Sequence, residues 1–268
     1  MTGPDGTGGS TFGVIAPASH ARGWRAAGLS LLVVALVGAG WSVLGNVARQ
    51  PIHHSRSFAG PVTAVDVDVS NGSVTVVAGP GQGVRVVAAG DRGLSTPSDD
   101  EQLAGGVLKI RSGCALPLDN TWCRLSYTVT APAGAAVYAH SGNGTVTVSG
   151  VHGDVDASSG NGTVRLSGLG GALRAHSGNG SVIAVGLADP TVTASSGNGS
   201  VSLAFAAAPL QVGAHSGNGT VTVTVPAASG PYHVIAGAHT TIEIPTDPTA
   251  ARTINASSSN GSVRLRSG

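Results

Sequence analysis

The chain has 268 residues, 10% of them charged, and a formal net charge of +1. So neutral a chain, with no basic stripe, has no electrostatic basis for holding nucleic acid, and that class of partner is excluded. Phe, Tyr and Trp number three each while small and β-branched residues dominate, which favours a thin, regular β stack over a core of bulky side chains.

Met1–Gly23 is rich in Gly, Ser, Thr and Pro, and residues 1–25 read as a disordered N-terminal tail. Ala26–Ala48 follows without a charge, bracketed by Arg25 and Arg49. Spanning the hydrocarbon core takes about 20 apolar residues, so residues 26–48 are predicted to form one transmembrane helix, with the lipid bilayer as partner. The run exceeds the apolar region of a signal peptide, about 7–15 residues, which favours a permanent anchor over cleavage near Gly38–Gly40. A buried soluble helix is disfavoured because the chain shows no second helix to pack on it. Arg22 and Arg25 on one side are matched by Arg49 and Arg56 on the other, so flanking charge does not set the orientation. Residues 49–61 read as a linker.

Residues 62–268 are predicted to form a single β-repeat domain, regular over 137–268. Its opening, Pro61–Pro132, is less regular: it has one phrase, Ser70-Asn71-Gly72-Ser73, and strand-like runs at Val84–Ala88, Val107–Arg111 and Leu125–Thr130. Cys114 and Cys123 are the only cysteines. An even pair across a short loop suits a disulfide in an oxidising compartment, with two buried free thiols as the alternative. The disulfide reading puts the C-terminal domain of a single-pass membrane protein outside the cytoplasm. Zinc is set aside at the cysteines, because no further ligands stand at a suitable spacing.

From His140 the chain repeats Ser-Gly-Asn-Gly, then Thr or Ser, then alternating apolar residues. The asparagines fall at Asn143, Asn161, Asn179, Asn198 and Asn218, steps of eighteen to twenty residues, with weaker copies around Asn71 and Asn260. Such a period marks a stack of supersecondary units. Thr145-Val146-Thr147-Val148 has strand alternation, a turn follows over Ser149–Gly153, and Asp154–Ser158 alternates again, so one unit is two strands and two turns. The Asn-Gly pair fits a hairpin, and it also fits a solenoid corner where Gly supplies φ > 0 and asparagines hydrogen-bond along the axis. Thr240–Ile244 keeps the strand without the phrase. Asn260–Leu265, with Arg264 and Arg266, is predicted to close the stack as a charged capping coil.

The residue opening each phrase alternates: His140, Ser158, His176, Ser195, His215. With one phrase per coil, the histidines stand two layers apart in one column, about 9.5 Å. With two phrases per coil they line an exposed edge at about 4.8 Å, where pH response or metal binding becomes conceivable. A plain duplication that leaves exposed polar residues is the simpler reading. Asp154 and Asp156 near His152, and the pair Asp66 and Asp68, read as solvated strand faces, since no nucleophile accompanies them. A neutral amide column is a poor hard-cation site, which disfavours calcium. The Asn-Gly-Thr/Ser phrases match the glycosylation pattern as a by-product of the repeat. No catalytic residue, cofactor or metal ligand is predicted.

Tyr127-Thr128-Val129-Thr130-Ala131-Pro132-Ala133-Gly134, leading into the successive phrases, resembles the bacterial putative-adhesin domain of unknown function over Val62–Gly268. That β-strand-repeat family often stands behind one transmembrane helix, and its common Ser-Gly-Asp-Ile phrase is replaced here by Asn-Gly-Thr/Ser-Val. The resemblance implies an all-β, right-handed parallel β-helix at a bacterial cell envelope, with no defined ligand and no catalytic residues. The expected function is a non-catalytic envelope or surface module that contacts an unknown envelope protein or surface ligand along a repetitive polar face. The alternative is an accessory or sensor protein of an envelope-stress response. An enzyme acting on surface polysaccharide would need Asp154 and Asp156 to converge with another acid in a cleft.

Overall fold

The computed structural model describes residues 32, 35, 36, 40, 50–92, 96–114 and 123–268. Leu32, Ala35, Leu36 and Gly40 are helical. The remainder of the expected span 26–48, and the tail 1–25, lie outside the described residues. Among the described residues no helix is long and apolar enough to cross a membrane. Two compact units are defined, Met1–Val47 and Ala48–Gly268, and the second is all-β.

Its strands, numbered in chain order, form two mostly parallel sheets. The ten-stranded sheet runs β18 (His233–Ala236), β20 (Thr253–Ser258), β16 (Gln211–Ser216), β14 (Thr191–Ser196) and β12 (Leu173–Ser177). It continues through β10 (Val155–Ser159), β8 (Ala136–Asn143), β2 (Ala64–Asn71), β6 (Val107–Gly113) and β5 (Ser98–Ala104). The eleven-stranded sheet begins β1 (Gln50–Phe58), β4 (Val84–Arg92), β7 (Arg124–Pro132), β3 (Val74–Gly79), β9 (Val146–Ser149) and β11 (Val164–Ser167). It ends β13 (Val182–Leu187), β15 (Val201–Phe205), β17 (Val221–Val225), β21 (Val263–Ser267) and β19 (Thr240–Glu243).

Each phrase makes one coil. β8 pairs with β10 and β10 with β12, so Val137, Val155 and Leu173 stand in one column, as do Ala139, Ala157 and Ala175. The second sheet keeps the same step, with Val146, Val164 and Val182 in register. Period-2 alternation drives this arrangement: the inward residues are mostly Val, Leu, Ile, Ala and Ser, and the column Ala139, Ala157, Ala175, Ala194, Ala214 and Ala256 is buried. Alanine on one sheet facing valine and leucine on the other keeps the core thin. Asn-Gly is therefore a corner between sheets and not a hairpin.

The corner glycines differ from expectation. In the five regular copies no phrase glycine has positive φ. The left-handed residues sit at the opposite turn, Gly150 (φ 70°), Gly168 (φ 60°) and Gly186 (φ 64°). Phrase glycines are needed for closeness: a Cβ on Gly162 would lie 2.0 Å from the carbonyl oxygen of Gly144 in the coil below, and one on Gly180 would lie 2.2 Å from that of Gly162.

Three further expectations are corrected. The linker 49–61 contains β1, which pairs antiparallel with β4, because Ile52, His54 and Phe58 alternate inward and give the segment a face to bury. The sheets are not parallel throughout: β1–β4, β4–β7 and β5–β6 are antiparallel at one end. Asn260–Leu265 is not the capping coil. β20 and β21 insert between the β16–β17 coil and the earlier segments β18 and β19, which form the outermost layer. The reason is chemical: Asn260 can bond to Asn218, whereas the β18–β19 segment carries no phrase to offer. The first phrase behaves likewise, with β2 and β3 stacked directly on β8 and β9 across an inserted segment.

Candidate functional site

The phrase asparagines form one continuous ladder. Asn143 Nδ2 donates to Asn71 Oδ1 at 2.8 Å, Asn161 to Asn143 at 2.8 Å, and Asn179 to Asn161 at 2.6 Å. Asn198, Asn218 and Asn260 continue it at 2.7, 2.7 and 2.8 Å. Behind them the buried serines donate to the glycine carbonyls of the coil below, Ser141 to Gly72 at 2.7 Å and Ser177 to Gly162 at 2.7 Å. The corner is self-satisfied, and Nδ2, the atom glycosylation would modify, is already engaged.

The outer face of the ten-stranded sheet carries the polar groups that remain open. Asp68, His140, Ser158, His176, Ser195, His215 and Ser257 form one column in strand register. His140, His176 and His215 therefore alternate with serine two layers apart and do not line an edge at one-strand spacing, because one phrase makes one coil. Each histidine Nδ1 meets the serine of the next layer: His140 with Ser158 at 2.9 Å, His176 with Ser195 at 2.9 Å, His215 with Ser257 at 3.0 Å.

At one end of this face Asp66, Asp68, Arg111, Tyr138, His140 and Asp156 line a hollow of about 160 Å³. Arg111 grips Asp66 with two bonds, Nη1–Oδ1 at 3.0 Å and Nη2–Oδ2 at 2.6 Å, and that bond pushes its guanidinium further up in pKa. Asp154 does not join these acids. Its Oδ1 accepts the Ala172 amide at 3.0 Å in the turn. Further along, a hollow of about 430 Å³ opens over Gly213, flanked by Arg174, Thr193 and Asn255.

Cys114 and Cys123 are joined by a disulfide, their Cα atoms 6.1 Å apart, and tie the end of β6 to the start of β7 across the two sheets.

Two buried polar groups escaped the sequence reading. Asp189 is 1% exposed, and its carboxyl has no partner beyond its own amide. Burial pushes its pKa up to about 6, with its own amide and the charge of His152 pulling the other way. At the antiparallel end, His54 Nε2 lies 3.0 Å from Asp99 Oδ2 and 3.0 Å from Glu101 Oε1. The Glu101 side chain is fully buried, and Tyr127 OH donates to Asp99 Oδ1 at 2.7 Å. Burial, and then that bond, push the Tyr127 phenol well up, so it remains a donor. Asp99, Glu101 and Leu103 share the inward face of β5.

No family model and no curated protein matches the chain. Among solved structures it is similar to a putative adhesin from Parabacteroides distasonis ATCC 8503, at 13% identity and a TM-score of 0.40, covering 81% of this chain and 97% of that one. It is also similar to a putative cell adhesion protein from Clostridium sporogenes ATCC 15579, at 11% identity and a TM-score of 0.34, covering 82% of this chain and all of that one. A putative adhesin from Parabacteroides merdae ATCC 43184 stands at 10% identity and a TM-score of 0.34, covering 80% and 95%.

Proposed function

We propose that this chain is a non-catalytic module of the bacterial cell envelope or surface, making contacts along the outer face of its ten-stranded sheet. The observation that carries this reading is the column from Asp68 to Ser257, in which Asp68 and the histidines are exposed and the serines half-buried, flanked by Tyr138, Asp156 and Arg174, all held on one sheet in strand register. Groups repeated at about 4.8 Å suit a ligand that is itself extended and repetitive, such as a glycan or an extended peptide. The disulfide fits a domain outside the cytoplasm, and the apolar run 26–48 would tether it to the membrane. A hydrolytic role is disfavoured because Asp154 is spent on the Ala172 amide and Asp66 on Arg111.

The test is deletion of the gene, with complementation by wild type and by a triple variant, His140→Ala, His176→Ala and His215→Ala, followed by surface-attachment and envelope-stress reporter assays. Attachment should fall on deletion and be restored only by wild type. Normal attachment together with a stress phenotype would replace this reading with the sensor reading.

A further inference from the structure

We propose that His54, Asp99 and Glu101 form a binding site for a divalent first-row transition cation, of which zinc and manganese are the natural probes. The site lies at the antiparallel end of the stack, away from the polar column, where β1 of one sheet meets β5 of the other. Nε2, Oδ2 and Oε1 all lie within 4.8 Å of one another.

The proton count is the first argument. One imidazole nitrogen carries at most one hydrogen, yet Nε2 faces two carboxylate oxygens, each at 3.0 Å. Three ligand atoms thus converge with fewer hydrogens than a fully bonded cluster needs, and a cation supplies the missing positive charge. The second argument is Glu101. Its side chain is completely buried and Oε2 has no hydrogen-bond partner; its one ion pair to an arginine, Arg56 Nε at 3.7 Å, is too long for a hydrogen bond and comes from a half-exposed side chain. A carboxylate is costly to bury unless it is paired or coordinates a metal.

The dimensions agree. Ligand atoms about 2.1 Å from one ion stand about 3.0 Å apart at the right angles of an octahedral shell and about 3.4 Å apart at tetrahedral angles, so the 3.0 Å from Nε2 to each oxygen fits octahedral manganese more closely than tetrahedral zinc. One imidazole with two carboxylates suits zinc or manganese better than calcium, which takes six to eight oxygens. Tyr127 holds Asp99 through Oδ1 and so leaves Oδ2 aimed at the site, the usual role of a group behind a metal ligand. The side chains of His54 and Asp99 keep 27% and 21% exposure, which gives an ion a way in and leaves room for water to complete its shell.

Inward charge on an edge strand also deters sheet-to-sheet association, and that role needs no metal. Calorimetric titration separates the two. The purified full chain, cleared with chelator, is titrated with zinc chloride, manganese chloride and calcium chloride, and bound metal is counted by mass spectrometry. One zinc or manganese per chain is expected, with affinity reduced about tenfold or more in Glu101→Gln and in His54→Gln and unchanged in His176→Gln. Glu101→Gln is nearly isosteric and removes a buried charge; should it fail to fold, the partly exposed His54→Gln decides alone. Absence of saturable uptake, a preference for calcium, equal uptake in the site variants, or loss of uptake in His176→Gln would each overturn the site.

Discussion

At the residue scale the phrase resolves into three separate tasks. Asparagine bonds along the axis, serine bonds down to a buried carbonyl, and glycine leaves room for the coil beneath. The last task predicts a steep contrast. Gly162→Ala would place a Cβ 2.0 Å from a backbone oxygen, whereas Gly134→Ala meets nothing within 4 Å. The first should cost about 3 kcal/mol or more, and the second no more than about 0.5 kcal/mol, read from urea unfolding midpoints. Asp189 makes the pH prediction. Its folded pKa of about 6 lies above the ordinary 3.8, so between those values the native state holds a proton that the unfolded chain releases. Its contribution is therefore most favourable below about pH 4 and declines as pH rises through 6, by about 3 kcal/mol in all. Asp189→Asn removes that decline, so its Tm advantage over the parent should grow from pH 4 to pH 8; a constant difference would contradict the burial argument.

Elements were largely legible in the chain, because valine at every second position admits few other readings. β4, β6 and β7 fall on the runs read around Val84, Val107 and Leu125, and the asparagine step gave the coil length once the register was known. Glu101 was not legible, since Asp99-Asp100-Glu101-Gln102 looks like a solvated run and only the fold shows that alternate members turn inward. Nor was β1, whose partner β4 lies beyond an intervening coil. The disulfide makes a prediction at this scale. It spans nine residues in sequence, and a loop that short restricts the unfolded chain by about 3 kcal/mol. Cys114→Ser with Cys123→Ser should lower stability by that order, and reductant should lower the parent to the same level while leaving the double variant unchanged.

For the Ala48–Gly268 unit as a whole, the stack behaves as a one-dimensional array in which each coil touches only its neighbours. Deleting residues 154–171 removes one coil and joins Gly153 to Ala172 in unchanged register, since Val155 already pairs with Leu173 and Val164 with Val182. The shortened chain is expected to fold, with a single cooperative melt and a β-type circular dichroism spectrum. His140 would then stand beside His176 at about 4.8 Å, in place of the serine that separates them in the parent. Deleting half that length would exchange the two sheets and should not fold.

The order of layers at the C-terminal end also governs how the stack yields to force. Gly268 follows β21, which is laddered on one side to β17 and on the other to β19. Tension on the last residue therefore cannot peel an edge strand one rung at a time. It must shear β21 along two neighbours at once, or first strip away β18 and β19, and the mechanical load is shared across many bonds. A repeat array that ended in its own last coil would unzip from the tip; here an earlier stretch of chain covers the tip and β21 is clamped inside.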